Sequence, residues 1–323
     1  LNTVEVYVNG FSTSMPEDVQ YSAIKKIPGF ENVKFFRPGY AIEYDYFPPT
    51  QLTLTLETKI IENLFFAGQI NGTTGYEEAA AQGLMAGINA AAKVFSKDSL
   101  VLTRSEAYIG VLIDDLITKG TEEPYRMFTS RAEYRTLLRQ DNADIRLTEK
   151  SFNIGLASKK RFDRVQNKQD KVKDYVEFFE KTSYEIDEVN SILESVGYEA
   201  VSQKAKLAKI YARPNIKKDH MISLASVKDY IEKNSLDVEI IEQAEIQIKY
   251  RGYIEKEKNN ADKLQRLEDI KIPKHFDYDS LASLSFEAKE KLNSIKPSTL
   301  SQASRISGIN PSDISVLLVK MGR

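Results

Sequence analysis

A glycine-rich turn between an apolar run and an alanine-rich segment has the residues best suited to holding a cofactor. Gly68, Gly72 and Gly75 allow positive φ angles and close approach of a ligand to the backbone. The run 64–67 is typical of a buried strand, and residues 79–92 favour a helix. Because the first amides of a helix lack backbone partners, a flavin or a phosphate would fit there. Any α/β domain needs strand-to-helix turns, however, and three glycines with this spacing are not a G-x-G-x-x-G fingerprint.

A first set of basic residues could bind phosphate through a regular spacing. Arg131, Arg135 and Arg139 recur every four residues, which predicts three guanidinium groups along one helix face. Ion pairing is the alternative, because surface charges usually find partners or water. The acids that could balance these arginines together with Arg126 and Arg146 are Glu122, Glu123, Glu133, Asp141 and Asp144.

A second basic set lies in residues 202–218, which contain six lysine or arginine residues and no acid. Leu207, Ile210 and Tyr211 suggest a helix with one packed face. The lysines would then project together into solvent and could follow a phosphate backbone. The set proposed to do so is Lys204, Lys206 and Lys209, and a simply solvated face remains the alternative.

Several elements could position these residues. Tyr40, Ile42, Tyr44 and Tyr46 alternate with Ala, Glu and Asp, which predicts a strand with an aromatic face. That face would cover a core or, as the alternative, stack on bases. Residues 239–269 predict one long helix with its apolar positions separated by Glu and Lys. These patterns indicate a mixed domain followed by helices.

The end of the sequence predicts two short helices with a tight joint. Gly308 can stop the first helix, Asn310 can cap the second, and Pro311 suits its first position. Asp313 adds favourable charge to the first turn. Such a pair could contact nucleic acid, but it is also common in structural bundles.

Five segments together resemble one family. They are residues 39–45, 65–91, 110–116, 123–144 and 296–308, so the similarity spans nearly the whole chain and is loose only at about 150–240. The chain resembles the MnmG (GidA) family, the tRNA uridine 5-carboxymethylaminomethyl modification enzymes. The family's N-terminal dinucleotide-binding loop and its cysteine-bearing motif have no counterpart here. The chain is therefore expected to be the C-terminal part of a longer protein.

This resemblance implies a fold and a domain order. The expected fold is an α/β remainder of a Rossmann-like FAD-binding domain followed by an all-α helical region. Residues 1–98 would complete the FAD-binding domain, and 99–238 would be a helical linker and tRNA-binding region. Residues 239–323 would form a C-terminal helical domain that contacts tRNA and the GTPase partner.

The resemblance also implies an activity for the whole enzyme. An FAD-dependent homodimer, reduced by NADH and working with an MnmE-family GTPase, would add an aminomethyl-type or carboxymethylaminomethyl group to C5 of the wobble uridine of tRNA. The one-carbon donor would be methylene-tetrahydrofolate. Half a cofactor site should not retain FAD, so this part alone is expected to be inactive. The rivals are a folate- and FAD-dependent tRNA uridine methyltransferase, which lacks the long helical region, and a non-catalytic helical scaffold that binds RNA or protein.

The family's site residues transfer onto two groups of positions here, and no general base or nucleophile can be assigned. In Gln69 an amide stands where related flavoproteins often place an acid, and it can still hydrogen-bond a ribityl chain. The expected tRNA contacts are Arg126, Arg131, Arg135, Arg139 and the three lysines above. The expected flavin contacts are Gly68, Gln69, Asn71, Gly72, Thr73, Thr74, Gly75 and Tyr76.

Composition narrows the remaining possibilities. The 323 residues carry a net charge of −2, no Cys and two His, which excludes disulfides and thiolate sites and predicts no metal centre. Apolar runs are shorter than a membrane span, and no segment resembles a signal peptide. A cytoplasmic protein without a membrane partner is expected.

Overall fold

The computed structural model describes residues 3–11, 13–40, 44–121, 123–268 and 270–322. The chain divides into two compact units, residues 1–47 and residues 48–323. No helix in the described ranges is long and apolar enough to cross a bilayer.

The first unit is organised by the side chain of Gln20 on helix α1, Glu17–Ile24. Its Nε2 donates to the carbonyl of Gly39 and its Oε1 accepts from the amide of Gly39, each at 2.8 Å. Because an amide side chain can donate and accept at once, one residue fixes both polar groups of that peptide segment.

The tyrosines that end this unit do not cover a core. Tyr40, Tyr44 and Tyr46 lie outside any strand and are 79%, 54% and 43% exposed. Ile42 lies outside the described residues. The prediction of a strand with a core-covering aromatic face is therefore wrong for the three tyrosines.

The second unit is built from helices. The described residues form α2 Tyr76–Val94, α3 Tyr108–Lys119, α4 Ala143–Asn153, α5 Lys159–Lys181, α6 Ile186–Ser195, α7 Leu207–Tyr211, α8 Lys218–Ile222, α9 Ala225–Asn234, α10 Val238–Glu268, α11 Phe286–Ile295, α12 Leu300–Arg305 and α13 Pro311–Lys320.

Backbone pairing between extended segments is sparse. Within the described ranges it consists of isolated bridges, such as Glu57 with Phe65 and Thr73 with Tyr125. The run 64–67, predicted as a buried strand, is extended chain with a single bridge at Phe65. The helical part of the predicted fold is confirmed, and the Rossmann-like part stays a prediction.

The largest apolar core lies between α5 and α10, where apolar side chains recur at helical spacing. The predicted helix 239–269 is confirmed as α10, while Asp269 and the side chains of Leu264 and Leu267 lie outside the described part. The central contributors are Val172, Tyr175 and Phe179 of α5 and Ile240, Ala244 and Ile248 of α10.

A separate core holds α11, α12 and α13 together. The predicted joint is confirmed: Gly308 has a φ of 93°, and α13 begins at Pro311. Asn310 and Asp313 form a capping box, in which the Asp313 carboxylate accepts a hydrogen bond from the backbone N–H of Asn310 at 2.9 Å. Local capping chemistry therefore sets this helix boundary.

Buried charges join this C-terminal bundle to α3. Arg305 of α12 makes a two-point contact with Asp114 of α3, with both nitrogen–oxygen distances 2.7 Å. Arg104 donates to Asp114 at 3.0 Å, to Asp115 at 2.7 Å and to Glu133 at 2.7 Å. Asp114 is thus shared by two guanidinium groups from distant parts of the sequence.

The start of α3 packs unusually close to the preceding chain. A side chain at Gly110 would overlap the carbonyl oxygens of Leu102 and Thr103. Only a residue without Cβ lets the segment that carries Arg104 lie this close to the helix. Gly110 therefore sets the distance between Arg104 and the two aspartates.

Candidate functional site

The glycine-rich segment forms a compact turn at the start of α2. A single 3₁₀ turn, Gln69–Asn71, lies between Gly68 with a φ of 87° and Gly72 with a φ of 78°. Both values lie in the left-handed region, where glycine is favoured. Gly75 caps α2, so the helix N-terminus opens directly onto the turn.

Gln82 holds this turn from inside α2. Its Oε1 accepts from the amide of Gly68 at 3.2 Å and from Asn71 Nδ2 at 2.8 Å. Its Nε2 donates to Thr73 Oγ1 at 2.8 Å. Gln82 is fully buried, so these polar groups depend on it rather than on water. These side-chain and amide partners lie 9 to 14 positions away, so no local sequence pattern indicates Gln82.

The five predicted flavin contacts that are not glycine fall into two groups. Asn71 and Thr73 are buried in the Gln82 network and shape the turn. Gln69, Thr74 and Tyr76 are exposed, and Tyr76 is 91% accessible. The exposed group is available to a ligand at the end of α2, whereas the buried group fixes the backbone.

Glu78, an acid in the first turn of α2, does more than complement the helix dipole. Its Oε1 accepts from the amide of Met127 at 2.7 Å and lies 3.3 Å from Arg126 Nε. Burial raises the pKa of Glu78, but the Met127 hydrogen bond and the Arg126 charge outweigh burial, so the pKa is lowered. Glu78 therefore ties the segment that follows α3 to the N-terminus of α2.

That segment brings two predicted tRNA contacts to the turn. The amide of Tyr125 donates to the carbonyl of Gly72 at 2.8 Å. The Arg131 guanidinium lies 4.2 Å from the Tyr125 ring centre, and its Nε donates to the carbonyl of Arg126 at 2.8 Å. Arg126 and Arg131 thus lie beside the predicted flavin contacts, which sequence spacing alone did not indicate.

The phenol of Tyr125 is fixed by the buried charges of α3. Its hydroxyl donates to Asp115 at 2.8 Å, and burial together with the Asp115 charge raises the pKa of Tyr125. Burial raises the pKa of Asp115, but the Arg104 and Lys119 charges outweigh it and lower this pKa. A protonated phenol and an ionised carboxylate form a stable, charge-assisted hydrogen bond. The Tyr125 ring on which Arg131 stacks is therefore held in place by this hydrogen bond.

The predicted arginine ladder does not exist as a helical face. Arg131 ends a 3₁₀ turn, Thr129–Arg131, and the chain from 132 to 139 has no helix. Arg139 pairs with Asp141 at 3.2 Å, while Arg135 is exposed. The helical geometry is wrong because buried Ala132, Tyr134 and Leu138 require another backbone path, but RNA contact by these arginines stays a prediction.

The ion-pairing alternative is correct for only some of the acids. Asp141 pairs with Arg139 as expected, but Asp144 pairs with Lys168 and Glu133 with Arg104. Glu122 lies outside the described residues. Arg104 and Lys168 were missed because their partners are remote in sequence.

The predicted lysine surface is also divided. Helix α7 has only five residues, and Lys204 and Lys206 precede it. Lys204 pairs with Glu185, and Lys206 Nζ donates to the carbonyl of Lys181 at 2.6 Å. A single basic helical face is therefore wrong. Lys209 instead lines a cavity together with Arg139.

Two buried oxygen atoms at the turn indicate that a polar cofactor could be accommodated there. Asn71 Oδ1 and Glu78 Oε2 are enclosed and have no hydrogen-bond partner in the described part of the chain. Buried acceptors without donors are costly, so a donor from outside the chain, such as water or a polyol hydroxyl, would stabilise them. A ribityl chain supplies such hydroxyls, and the residues present fit a flavin in this respect.

Replacing Gln82 by alanine should lower the free energy of unfolding by about 1–3 kcal/mol, because Asn71 and Thr73 would lose buried partners. Urea unfolding followed by circular dichroism measures this change. The matched control is Gln69→Ala in the same turn, where the side chain is exposed and a change within about 0.5 kcal/mol is expected. Equal effects of the two substitutions would contradict the assigned network.

Most of the chain is similar to known protein families. Residues 1–98 match a family model described as "Glucose inhibited division protein A". Residues 159–258 and 260–323 match the C-terminal helical domain and the C-terminal helical bundle of "tRNA modifying enzyme MnmG/GidA".

Two relatives are named "tRNA uridine 5-carboxymethylaminomethyl modification enzyme MnmG". The one from Christiangramia forsetii is 66% identical and the one from Flavobacterium psychrophilum 63% identical, each over all of this chain and 52% of its own length. A crystal structure of Aquifex aeolicus GidA superposes with a TM-score of 0.75 at 46% identity, over all of this chain and 50% of that one.

The helical domains and the turn at α2 define part of a GidA-like protein. The chain belongs to the MnmG/GidA family, and the predicted resemblance is confirmed. It spans about half the length of the curated relatives it matches.

Proposed function

We propose that this chain is the C-terminal part of an FAD-dependent enzyme that modifies the wobble uridine of tRNA at C5. The strongest support is that the predicted flavin contacts and two of the predicted tRNA contacts lie next to each other. Arg126 and Arg131 lie beside the glycine-rich turn through the Tyr125–Gly72 hydrogen bond. A cofactor site and phosphate-binding cations that adjoin each other suit a flavoenzyme with a polyanionic substrate.

The residues that would hold the flavin are the exposed side chains of the turn and the first amides of α2. Gln69 and Thr74 can hydrogen-bond polyol hydroxyls, and the helix N-terminus favours a polarised oxygen or negative charge. Glu78 and Arg126 keep the helix end in place. When bound, FAD would supply the redox chemistry, with NADH as reductant and methylene-tetrahydrofolate as one-carbon donor.

The basic side chains would hold the RNA. Arg131 stacks on Tyr125 and Arg135 is exposed, so both can meet phosphate without breaking a buried ion pair. The helical regions 99–238 and 239–323 are proposed to dock tRNA and an MnmE-family GTPase in a homodimeric enzyme. Cytoplasmic activity follows from this substrate.

The double substitution Arg131→Ala and Arg135→Ala should weaken binding of an unmodified tRNA with a wobble uridine and reduce the steepness of its salt dependence. Each lost phosphate contact lowers the salt slope by about 1. Filter binding or fluorescence anisotropy at several salt concentrations measures this, with circular dichroism to verify the fold.

The matched control removes the same charge from α9 through Lys228→Ala and Lys233→Ala, both of which are exposed. It should leave the salt slope closer to that of the unsubstituted chain than the arginine variant does. If the two double variants bind tRNA alike, the arginines do not form the RNA site.

A further inference from the structure

A cavity of about 590 Å³ lies between α5, α7, α10 and the segment 137–142. It shares no lining residue with the glycine-rich turn, and its size falls within the range of small-ligand sites. Arg139 and Lys209, which sequence patterns marked separately as phosphate contacts, both line it. Folding therefore brings together two cations that are 70 positions apart in the chain.

One side of the cavity is formed by the planar guanidinium group of Arg251. Arg251 of α10 pairs with Glu180 of α5 and, at 3.0 Å, with Glu255 one turn further along its own helix. Carboxylates from two helices hold the guanidinium plane in one orientation, although 61% of the side chain is exposed. Unstacked nucleotide bases stack on guanidinium planes of this kind.

The remaining walls are apolar, with a few polar groups. Ala208 of α7 and Ala212, the C-cap of that helix, lie four positions apart and offer a shallow surface without bulky side chains. The amides of Asn142 and Gln247 add donors and acceptors that can address the edge of a base. Apolar walls with a few amides suit a heterocycle, and the Glu180 and Glu255 carboxylates beside them disfavour a bare anion.

Lys209 is the cation of the cavity that is most available to a ligand. Its side chain is exposed and makes no ion pair within the described part of the chain, whereas Arg139 and Arg251 have carboxylate partners. A phosphate attached to the bound base could be met by Lys209 and approached by Arg139.

We propose that this cavity takes one unpaired nucleotide of the RNA, its base on the Arg251 plane between apolar walls and its phosphate at Lys209. The proposal rests on the proposed function, since it assumes an RNA substrate. A cavity of this size cannot admit a duplex, so the nucleotide must come from a loop or a single-stranded end. The site would thereby select a structured RNA with an exposed nucleotide over a plain helix.

The absence of cysteine allows a direct test. Ala212→Cys places a single thiol on the cavity wall, and Ser191→Cys places the control thiol on the exposed surface of α6. Alkylation of each thiol is timed in the full chain with a single-stranded oligouridylate, with a blunt RNA duplex, and with inorganic phosphate. Binding of the oligonucleotide is measured on the same samples by fluorescence anisotropy.

At an oligouridylate concentration about ten times its Kd, alkylation of the cavity thiol should slow about tenfold, and the control thiol should be unaffected. Neither the duplex nor phosphate should protect. Equal protection by the duplex or by phosphate would overturn the single-nucleotide site, as would equal protection of both thiols. If the oligonucleotide binds without protecting the cavity thiol, the cavity proposal fails and the proposed function stands. If no RNA binds at all, both fail.

Discussion

Replacement of Asp114 by alanine should lower the free energy of unfolding by about 3–5 kcal/mol, which is the usual cost of breaking a buried ion pair from one side. Asp114 is 3% exposed and holds two guanidinium groups, from Arg104 and Arg305. Without it, both cations lose their shared carboxylate, and the carboxylates left to Arg104 are those of Asp115 and Glu133.

The matched control is Glu133→Ala, which removes a different carboxylate from the same Arg104. The Glu133 side chain is 45% exposed, so water can replace it and a loss of at most about 1 kcal/mol is expected. Urea unfolding monitored by circular dichroism gives both values. A loss for Asp114→Ala no larger than that for Glu133→Ala would mean that the junction of α3 and α12 contributes little to stability.

Replacement of Gly110 by alanine should lower the free energy of unfolding by a similar amount, about 3 kcal/mol or more. The added methyl group would overlap two backbone carbonyl oxygens. Backbone atoms of residues 102 and 103 cannot rotate away as a side chain can. The segment carrying Arg104 would have to move from α3, so the ion pairs with Asp114 and Asp115 would lengthen as well. Thermal and urea unfolding both report this loss.

A second glycine within a helix provides the control. Gly83 of α2 is exposed, and a Cβ there would meet no atom within 4 Å. Gly83→Ala should therefore raise the free energy of unfolding by roughly 0.5–1 kcal/mol, because alanine has the higher helix propensity. Opposite signs for the two substitutions are expected, and a loss at both positions would refute the close-approach explanation for Gly110.

Features set by neighbouring residues could be predicted from the sequence. The helix after the glycine-rich turn, the extent of α10 and the Asn310 cap of α13 all follow from composition or from caps within a few positions. In these segments, local preference and tertiary packing favour the same structure.

Features set by distant partners could not be predicted in this way. The four-residue spacing of Arg131 and Arg135 suggested a helix, but burial of Tyr134 and Leu138 against α10 imposes a different path. Spacing describes only neighbours along the chain, and the packing of a remote helix overrides it. For the same reason Gln82, the organiser of the candidate cofactor turn, gave no local signal.

The contact between Asp114 and Arg305 also has a consequence for the order in which the protein matures. The two residues are separated by 191 positions, so the ribosome must add that length of chain after Asp114 before its partner exists. At elongation rates of about 5–20 residues per second, this interval lasts on the order of 10–40 s. Throughout that time the Arg305 partner of Asp114 has not yet been synthesised. Arg104, which precedes Asp114 in the chain, is the partner already present. The final locking of α3 therefore waits until α12 has been synthesised.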